Sequence, residues 1–410
     1  MSPVWLQILF WLALAWIAYA LVGYQLLLIA ASRIANAFPR AAGHRPHQSD
    51  IASSTTTLSI SLLIAARNEE AVIADKLENT LALDYPREAL QVIVMSDAST
   101  DRTDAIVTRY ADRGILLHAV PDGGPNGHGK PNAMNATLPM ATGEIILISD
   151  ANSMYAADSL RKIARNFADP RVGCVTGEER RVATADGAGL GESLYCRFDN
   201  WIKRLEGQVG SMVMVNGGFV AIRRELYPQL DPRLNFDLVW APLLHLQGYR
   251  TVYEPEAVSV ETYPLDAAGD FRRRVRTVMQ AFYSYLAVPQ ALNPLRTGWY
   301  AVRLFSHRFA RWFVLPALAV ALVANVALVA NVALAGAGPL YLGLLIAQLI
   351  CYALALGGWL LDRAGRRFLP CYLPYYFVYV HAAAFTGVMR ALTGRRVASW
   401  TPTERIADTA

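Results

Sequence analysis

Long uncharged stretches at the two ends of the chain restrict its fold more than any other feature. No Asp, Glu, Lys, Arg or His occurs before Arg33, so residues 1–32 are long enough to cross a bilayer. A second uncharged run covers residues 312–361, and a Gly-Ala-Gly-Pro break at 336–339 divides it into two segments of spanning length. Backbone groups inside lipid must be paired within their own segment, so these runs are expected to be helices. The chain is 54% apolar and only 17% charged, which is typical of a membrane protein.

The arginines beside these segments predict their orientation. Residues 1–32 lack the basic start and short apolar core of a signal peptide, so we interpret them as an anchor. A further uncharged segment, 368–389, brings the expected number of spans to about four. Arginines follow the first and third spans, which places those loops and the middle of the chain in the cytoplasm. Three arginines after the last segment oppose this arrangement, so either that segment does not cross or the C-terminus is external.

Charge and turn signals divide the chain into six parts. These are an N-terminal transmembrane helix (1–32), a linker (33–57), a cytoplasmic domain (58–290), an interfacial amphipathic helix (291–311), C-terminal transmembrane helices (312–392) and a tail (393–410). The interfacial helix is inferred because Arg303, His307 and Arg311 share one helical face while apolar residues share another. The four cysteines have no paired spacing, so neither a zinc site nor a disulfide framework is expected.

The middle of the chain alternates short apolar runs with helical patterns. The runs expected to be strands end in polar clusters or turns and cover residues 58–66, 90–95, 115–120, 143–149 and 172–176. This alternation predicts an α/β fold with a mostly parallel sheet. In such a sheet, ligands bind in the crevice beyond the carboxyl ends of the strands.

Polar residues at three of these strand ends are candidates for binding. Asp150 and Asn152 could face one Mg²⁺ or Mn²⁺, although an Asp that caps the next helix is an alternative. Asp97 could accept a hydrogen bond from a base or ribose, or begin an Asx turn. Lys130 follows a Gly-rich loop, 123–129, that could bring backbone N–H groups to a diphosphate. The loop has neither the GxxxxGK[ST] nor the GxGxxG pattern, which argues against ATPase and dinucleotide sites.

Later features each have a functional and a structural interpretation. Asp237 begins a predicted helix, where N-capping is the structural alternative. Gly217 and Gly218 interrupt an apolar run, either for the close approach of a substrate or as a β-bulge. Trp201, on an aromatic-rich helix, is either a core residue or part of a platform for sugar rings. The run RRRVR at 272–276 suits lipid headgroups or a diphosphate.

Six short motifs in a fixed order resemble a known family. They are ARNEE (66–70), SDASTD (96–101), GKPNAMN (129–135), SDAN (149–152), NGGFVAIRR (216–224), and FD (236–237) followed by GYR (248–250). Together they resemble the family-2 inverting glycosyltransferases of GT-A fold. The similarity is greatest to the membrane-embedded bacterial branch related to cellulose, chitin and hyaluronan synthases, and it extends over roughly residues 58–276.

The resemblance implies roles for individual residues. It places Asp237 as the general base, and Asp150 and Asn152 as ligands of a divalent cation, Mn²⁺ or Mg²⁺, through which a UDP-sugar is held. The acceptor is expected near Gly217, Gly218 and Trp201. The residues expected to bind the nucleotide-sugar are Ala66, Arg67, Asn68, Glu70, Asp97, Lys130, Asp150, Arg273 and Arg276.

The sequence departs from the family pattern at three places. Asn152 replaces an acidic metal ligand but keeps an oxygen donor, and Phe236 replaces the first acidic residue of the base motif. RRRVR occupies the stretch where processive synthases have Gln-x-x-Arg-Trp, so the tryptophan associated with processivity is missing. These departures keep three functions under consideration.

The first function is transfer of a sugar from a UDP-sugar to a growing cell-surface or exported polysaccharide. The second is non-processive transfer of one sugar to a lipid or lipid-linked acceptor, and the third is a non-catalytic, nucleotide-binding membrane subunit. The expected partners are a UDP-sugar, a glycan or lipid-linked acceptor and the lipid bilayer, with an accessory export subunit as a further candidate and no nucleic acid. The expected location is the bacterial inner membrane, with several spans and a cytoplasmic catalytic domain.

Overall fold

The computed structural model describes most of the predicted cytoplasmic domain and of the apolar ends. It covers residues 4–37, 57–121, 129–182, 190–229, 231, 234–262, 267–335, 339–366 and 368–394. Most of the predicted linker 33–57, most of the tail 393–410 and residues 123–128 of the Gly-rich loop lie outside this part of the chain.

Eight strands form one mixed sheet in the order β3-β2-β1-β4-β7-β6-β8-β5. β1 pairs in parallel with β2 and β4, β2 pairs in parallel with β3, and β6 pairs in parallel with β8. β7 is antiparallel to both β4 and β6, and β5 is antiparallel to β8. The strands are β1 (Ile60–Ala66), β2 (Leu90–Asp97), β3 (Ile115–Val120), β4 (Ile145–Asp150), β5 (Ser153–Tyr155), β6 (Val172–Val182), β7 (Phe219–Arg223) and β8 (Arg250–Thr262).

Helices connect these strands and form both apolar ends of the chain. A long first helix, α1 (Val4–Ala37), contains a π-helical turn at Tyr19–Gly23. The others are α2 (Ile73–Leu81), α3 (Thr103–Thr108), α4 (Lys130–Thr137), α5 (Ser159–Arg165), α6 (Leu190–Val209), α7 (Phe236–Leu246), α8 (Ala267–Ala287), α9 (Pro294–Thr297), α10 (Trp299–Trp312), α11 (Val314–Ala335), α12 (Pro339–Arg363) and α13 (Leu369–Leu392). The prediction of an α/β domain flanked by apolar helices is confirmed.

The central strands are apolar without alternation because both of their faces are covered. Leu62, Leu63 and Ile64 on β1 have no exposed surface, which is typical of a parallel strand packed on both sides. In the register of the sheet, Ala66 pairs with Ser96 on β2, and Ala65 pairs with Asp150 on β4. The polar clusters that follow these three strands therefore lie at the same edge of the sheet.

Two strands differ from their predicted extents. The apolar run at 213–222 contains only the short strand β7, which begins after the two glycines, so these glycines are not a bulge within a strand. β6 extends beyond the predicted residues 172–176 as far as Val182. Its polar second half pairs with β8 from Val258 to Thr262, a partnership that local sequence does not encode.

The contacts within the chain separate two units. One contains Leu28–Asp266 and Gln280–Ala301, and therefore the whole sheet. The other is built from Met1–Leu27, Ala267–Met279 and Val302–Arg395. In this second unit the N-terminal helix packs Leu6, Phe10 and Ala13 against Ala321, Ala324 and Leu328 of α11.

In the described residues, two or three candidate spans are found where about four were expected. Among the described residues, α1 and α12 have the required length and composition. A third span would consist of α10 and α11 together, which are bent by 59° at the break between them. α13 has 24 residues but contains two prolines and four tyrosines, and it falls below the apolarity of a candidate span.

The polar face of the predicted interfacial helix is buried. Arg303 is 4% exposed and His307 is completely buried on α10, where an interfacial helix would direct such side chains to water or headgroups. A π-helical turn at Phe305–Phe309 interrupts α10 at this point. The polar residues were predicted to share a face, but the structure places two of them inside the protein.

Candidate functional site

The carboxylate that ends β4 meets a lysine from α4. The Lys130 ammonium contacts Asp150 Oδ1 and donates a hydrogen bond of 2.8 Å to the carbonyl oxygen of Gly217. Asp150 is followed by a turn that contains Asn152 and leads into β5, and not into a helix. The alternative in which Asp150 caps the next helix is therefore wrong.

The loops after β1 and β2 are interlocked by hydrogen bonds. Asn68 Oδ1 accepts a 2.8 Å bond from the backbone N–H of Thr100, and Glu70 Oε2 accepts bonds of 3.0 and 3.1 Å from N–H and Nε of Arg102. Asn68 and Ala98 have positive φ angles of 53° and 50°, which are uncommon outside glycine. The structure thus gives Asn68 and Glu70 a role in holding the loops, in addition to the predicted contact with a nucleotide.

Asp97 is buried between two donors from different loops. Its Oδ2 atom accepts bonds from Arg67 Nη1 at 3.4 Å and from the backbone N–H of Gly129 at 2.8 Å. The Asx turn that starts α3 is made by Asp101, whose Oδ1 accepts from the N–H of Thr103. Asp97 therefore does not make that turn, and it ties the residue before Lys130 to the end of β2.

Asp237 lies in the first turn of α7 but does not cap that helix. The cap is Asn235, whose side-chain oxygen accepts a 2.9 Å bond from the Asp237 N–H. Within the described part of the chain, Asp237 Oδ1 is buried and has no hydrogen-bond partner. Burial raises the Asp237 pKa to about 7; Lys130 opposes this shift, while Asp150 and Glu179 add to it. A buried carboxylate with a pKa near neutrality has the properties of a general base.

Two glycines leave room for the acidic side chains around them. A Cβ atom on Gly217 would stand 2.5 Å from Asp237 Oδ1. A Cβ atom on Gly218 would stand 2.6 Å from Ser153 Oγ, 2.7 Å from Glu261 Oε1 and 3.2 Å from Asp150 Oδ2. A side chain at either position would collide with these groups, so glycine is required for their close approach.

The three carboxylates that the sequence analysis singled out are thus linked through neighbouring contacts. Asp97 binds the N–H of Gly129, and the next residue, Lys130, bridges Asp150 and Gly217. Gly217 in turn lies against Asp237. Asp97, Asp150 and Asp237 therefore lie in one region of the structure.

Glu261, near the end of β8, is an acidic neighbour that the sequence analysis missed. It is 8% exposed and accepts a hydrogen bond from Ser153 Oγ. Burial raises its pKa to about 8, and the charges of Glu179 and Asp150 add to the increase. β8 pairs with β5, which follows the Asp150 turn directly, and no local motif signals that pairing.

Two buried lysines also support the site. Lys76, on the buried face of α2, donates to the carbonyl oxygen of Ser153, and burial lowers its pKa to about 7. Lys203, on α6, donates to Asn216 Oδ1 at 2.5 Å and pairs with Asp199 at 2.8 Å. A signal existed for Lys76, because it occupies an apolar position of an amphipathic helix, three residues after Ile73.

The oxygen atoms beside Gly218 fit a divalent cation. Asp150 and Glu261 both direct an oxygen atom towards the space that a Cβ on Gly218 would fill, and Asn152 adds an oxygen-bearing side chain in the same turn. Carboxylate and amide oxygens are the ligands that Mg²⁺ and Mn²⁺ prefer. In the described ranges no three His, Cys, Asp or Glu residues form a metal cluster by themselves, so phosphate or water oxygens would have to complete the coordination.

The structure does not test the roles predicted for Arg273, Arg276 and Trp201. Arg273 and Arg276 belong to the unit that contains Ala267–Met279, and Arg273 forms an ion pair of 2.9 Å with Asp270. Trp201 is 39% exposed on α6 and lines a cavity of about 560 Å³, so it is not a core residue. Their predicted roles in binding a diphosphate and an acceptor stay predictions.

Comparison with known proteins indicates the family and the fold. Residues 58–280, more than half of the chain, match the sequence profile described as "Glycosyltransferase like family 2". A solved mannosyltransferase from Pyrobaculum calidifontis, in complex with GDP-Man and Mn²⁺, superposes with a TM-score of 0.67. The match covers 94% of this chain and 99% of that chain at 24% identity, so it supports a shared fold.

Two curated relatives are similar over part of their length. A poly-beta-1,6-N-acetyl-D-glucosamine synthase of Staphylococcus aureus is 28% identical over 223 residues, which are 53% of this chain and 53% of that protein. A beta-monoglucosyldiacylglycerol synthase of Synechocystis is 33% identical over 166 residues, which are 40% of this chain and 34% of that protein. The chain therefore spans about half the length, or less, of these relatives.

Proposed function

The chain belongs to glycosyltransferase family 2 and has its GT-A fold, and from this membership and the site we propose that it transfers one sugar from a UDP-sugar to a hydroxyl group of a lipid or lipid-linked acceptor. The observation that carries the proposal is the carboxylate of Asp237, whose Oδ1 is buried and lacks a partner in the described residues. It faces Gly217, close to the residues expected to hold the donor. The reaction is a single displacement that inverts the anomeric carbon.

In this reaction Asp237 removes the proton from the acceptor hydroxyl group. The acceptor oxygen forms its bond to the anomeric carbon while the bond from that carbon to the β-phosphate oxygen of UDP breaks. The proton remains on Asp237, and UDP leaves with the bonding electron pair. A pKa near 7 suits this role, because the carboxylate is ionised before the transfer and basic enough to accept the proton.

The donor is proposed to lie along the ends of β1, β2 and β4. Arg67 and Asp97 are proposed to bind the nucleoside, and Lys130 is proposed to supply positive charge for the diphosphate; the contacts of Arg67 with Asp97 and of Lys130 with Asp150 support this proposal. Asp150 and Asn152, with Glu261 beside them, would hold a divalent cation that neutralises charge on the departing diphosphate. The metal-bound structure with GDP-Man supports including GDP-sugars and Mn²⁺ in the first assays.

We also propose a membrane location for the enzyme. The apolar helices α1 and α12 support attachment to the inner membrane of a bacterium, with the sheet on the cytoplasmic side. A lipid-linked acceptor would then be presented at the membrane surface. An accessory export subunit is a further proposed partner.

Extension of a polysaccharide is the second candidate function. It is favoured by the similarity to a poly-beta-1,6-N-acetyl-D-glucosamine synthase. The lack of a Gln-x-x-Arg-Trp motif, in whose place RRRVR occurs at 272–276, supports single transfer instead.

The proposal is tested with the purified full chain in detergent, Mn²⁺ and a panel of UDP- and GDP-sugars. We expect acceptor-dependent release of UDP from one donor, loss of that release with EDTA, and recovery when Mn²⁺ is added back. Absence of nucleotide release with every donor, in a chain that still binds UDP, would overturn the enzymatic proposal and favour a non-catalytic subunit.

A further inference from the structure

A cavity of about 560 Å³ lies between the second half of β6 and the helix α6. Its volume is within the range of small-molecule sites, which are typically about 300–1,000 Å³. The proposed sugar transfer assigns no role to most of the side chains that line this cavity. The charged and aromatic residues that line it are Glu178, Arg180, Arg181, Arg197, Arg204 and Trp201.

The cavity has more positive than negative charge. Glu178 is 4% exposed and is shared by two guanidinium groups, with Arg180 Nε at 2.9 Å from Oε1 and Arg204 in contact with Oε2. Burial alone would raise the pKa of Glu178, but the hydrogen bonds from Arg204 and Arg180 lower it, so the carboxylate is ionised. One carboxylate cannot neutralise two guanidinium groups.

Arg180 and Arg204 are held in place and are still accessible. The side chains of Arg180 and Arg204 are 55% and 48% exposed, although Glu178 fixes both of them. Arg181 is paired with Glu179 at 2.6 Å, and Arg197 lies on the exposed side of α6. A guanidinium group has five N–H donors in a rigid fork that fits phosphate oxygens in a bidentate manner. Arginines oriented in advance in this way are suited to a phosphate group.

An aromatic surface adjoins this positive charge. Trp201 lines the cavity, and its ring centroid is 5.9 Å from that of Phe198 one turn earlier on α6. Both rings are more than one-third exposed. A ligand that carries a phosphate and an apolar chain or sugar ring could place the first against the arginines and the second against Trp201.

The cavity adjoins the acceptor side of the proposed site. Asn216, the residue before the two glycines, donates from Nδ2 to the carbonyl oxygen of Gly177 at 2.6 Å, and Glu178 follows Gly177 directly. Arg181 is paired in the sheet register with Glu261. The strands assigned to the donor are β1, β2 and β4, and β7 separates β4 from β6. The cavity therefore lies beyond β7 from the strands assigned to the donor, and Arg181 places it next to Glu261 of the proposed cation site.

We propose that this cavity binds the phosphate or diphosphate group of an anionic acceptor, with Arg180, Arg197 and Arg204 as its phosphate ligands and Trp201 against the remainder of the acceptor. This inference rests on the proposed sugar transfer, because it specifies the chemical class of the acceptor. A lipid phosphate and a free phosphate compound share this chemistry, and the test separates them.

The test measures binding of hexyl phosphate, inorganic phosphate and 1-hexanol to the purified full chain in detergent. Saturating UDP and Mn²⁺ are present, so the donor site is occupied. We expect the wild type to bind hexyl phosphate and not 1-hexanol, and the double variant R180Q/R204Q to bind it at least tenfold more weakly. R161Q, which removes an arginine paired with Asp84 on the surface, is the matched control and should bind as the wild type does.

R180Q/R204Q leaves the buried Glu178 without its two arginine partners and could misfold. A second variant, R197Q, therefore tests the proposal without disturbing Glu178. Arg197 is exposed, so R197Q should keep the wild-type melting temperature and UDP affinity and still bind hexyl phosphate at least threefold more weakly. If the wild type did not bind hexyl phosphate, or if both variants bound it as tightly as the wild type, the inference would be wrong.

Comparison of the two phosphates identifies the source of the ligand. Tighter binding of hexyl phosphate than of inorganic phosphate assigns the cavity to a lipid phosphate, and equal affinity assigns it to a free phosphate compound. The same measurements distinguish failure of the proposed sugar transfer from failure of the proposed anionic acceptor. If hexyl phosphate binding depends on the arginines but no donor supports sugar transfer, only the proposed activity is wrong. If the wild type and the variants transfer sugar to an uncharged lipid at equal rates, only the proposal of an anionic acceptor is wrong.

Discussion

Two carboxylates in the same small region have opposite electrostatic surroundings. Asp150 is in contact with the Lys130 ammonium, whereas the Oδ1 atom of Asp237 is buried and has no hydrogen-bond partner in the described residues. The first environment suits a ligand of a cation or diphosphate, and the second suits a group that gains and loses a proton. The different roles proposed for the two residues follow from this contrast.

Replacing Asp237 by Asn should reduce the rate of sugar transfer and leave donor binding intact. The amide has nearly the same shape but cannot accept the proton, and general-base catalysis contributes about 10²–10⁴-fold. We therefore expect kcat to fall by at least about 100-fold, with the UDP dissociation constant unchanged. D112N, at an exposed position, is the control and should retain wild-type kcat. A D237N enzyme with wild-type kcat would show that another group is the base.

The stability of D237N provides a check that the variant is folded. The pKa of Asp237 is raised in the folded protein, so the folded state binds the proton more tightly than the unfolded state. The free energy of unfolding therefore decreases as the pH rises from the unfolded pKa, near 4, through the folded pKa, about 7. The Asn side chain carries no charge, so D237N avoids the loss of stability that comes from the ionised carboxylate. D237N should therefore melt at a higher temperature than the wild type at pH 8, with a smaller difference at pH 4.

The rate of transfer should depend on pH through the same carboxylate. Because the base must be ionised, kcat should fall about tenfold per pH unit below a pKa near 7. Glu179 contributes to the raised pKa of Asp237, so E179Q should move this limb of the profile to lower pH. E88Q, at an exposed position, should leave the limb in place. An identical limb in the wild type and E179Q would remove Asp237 as the titrating group.

At the scale of elements, the pairing of β4 with β7 determines how closely Asp150 and Glu261 approach the backbone at Gly218. β7 begins directly after Gly218 and runs antiparallel to β4, which ends at Asp150. The backbone at Gly218 therefore passes Asp150, Ser153 and Glu261 without a side chain between them. The space beside Gly218 is the space proposed for the cation.

The G218A variant should fill this space and weaken metal-dependent donor binding. The added Cβ would stand within 2.7 Å of Ser153 Oγ and Glu261 Oε1, and relief of such overpacking typically costs about 1–3 kcal/mol. We expect the Mn²⁺ concentration for half-maximal activity to rise at least tenfold, measured by titration of UDP release. G207A, whose Cβ would meet its nearest atom at an ordinary 3.5 Å, is the matched control. Equal Mn²⁺ dependence in G218A and the wild type would contradict the placement of the cation.

A buried lysine on α6, Lys203, links this helix to Asn216, the residue before Gly217 and Gly218. Lys203 is 4% exposed and contacts Asp199 on the same helix as well as Asn216. Breaking a buried pair leaves an uncompensated charge and costs about 3–5 kcal/mol. K203M should therefore lower the melting temperature strongly, and the double variant K203M/D199L should recover part of the loss. K162M, which breaks a partly exposed pair with Asp158, should change stability by less than about 1 kcal/mol. A K203M protein as stable as the wild type would show that this contact does not hold the helix.

The sequence predicted the elements whose boundaries have local signals. Strand β3 was predicted with its observed limits and the end of β1 was placed correctly, while the end of β4 was placed one residue early, at residue 149 instead of Asp150. These strands are short apolar runs bounded by polar turns. Glu261 and Lys203 could not be found in this way. They reach the site through the pairing of β8 with β5 and the packing of α6 beside β6, and both contacts join residues far apart in the chain.

At the scale of the whole molecule, the sequence identifies the apolar segments more easily than the number of times that they cross the membrane. Uncharged length identifies α1 and α12 because a span requires about 20 apolar residues. The pair α10 and α11 bends by 59°, and the burial of Arg303 and His307 on α10 was not visible in the sequence. Periodicity places residues on a common face, but it does not reveal whether that face meets water or protein.

Two features of the chain support a product with a single transferred sugar. The Gln-x-x-Arg-Trp motif of processive synthases is missing, and an arginine-lined cavity suited to a phosphate lies beside the acceptor side of the site. We therefore expect membranes that contain the protein, Mn²⁺ and a radiolabelled UDP-sugar to incorporate the label into a single-sugar, solvent-extractable lipid. Membranes with D237N, which is expected to bind the donor without transferring it, provide the background. Label in a long, solvent-insoluble polymer would instead establish polysaccharide extension, because one enzyme would then retain its acceptor through many transfers.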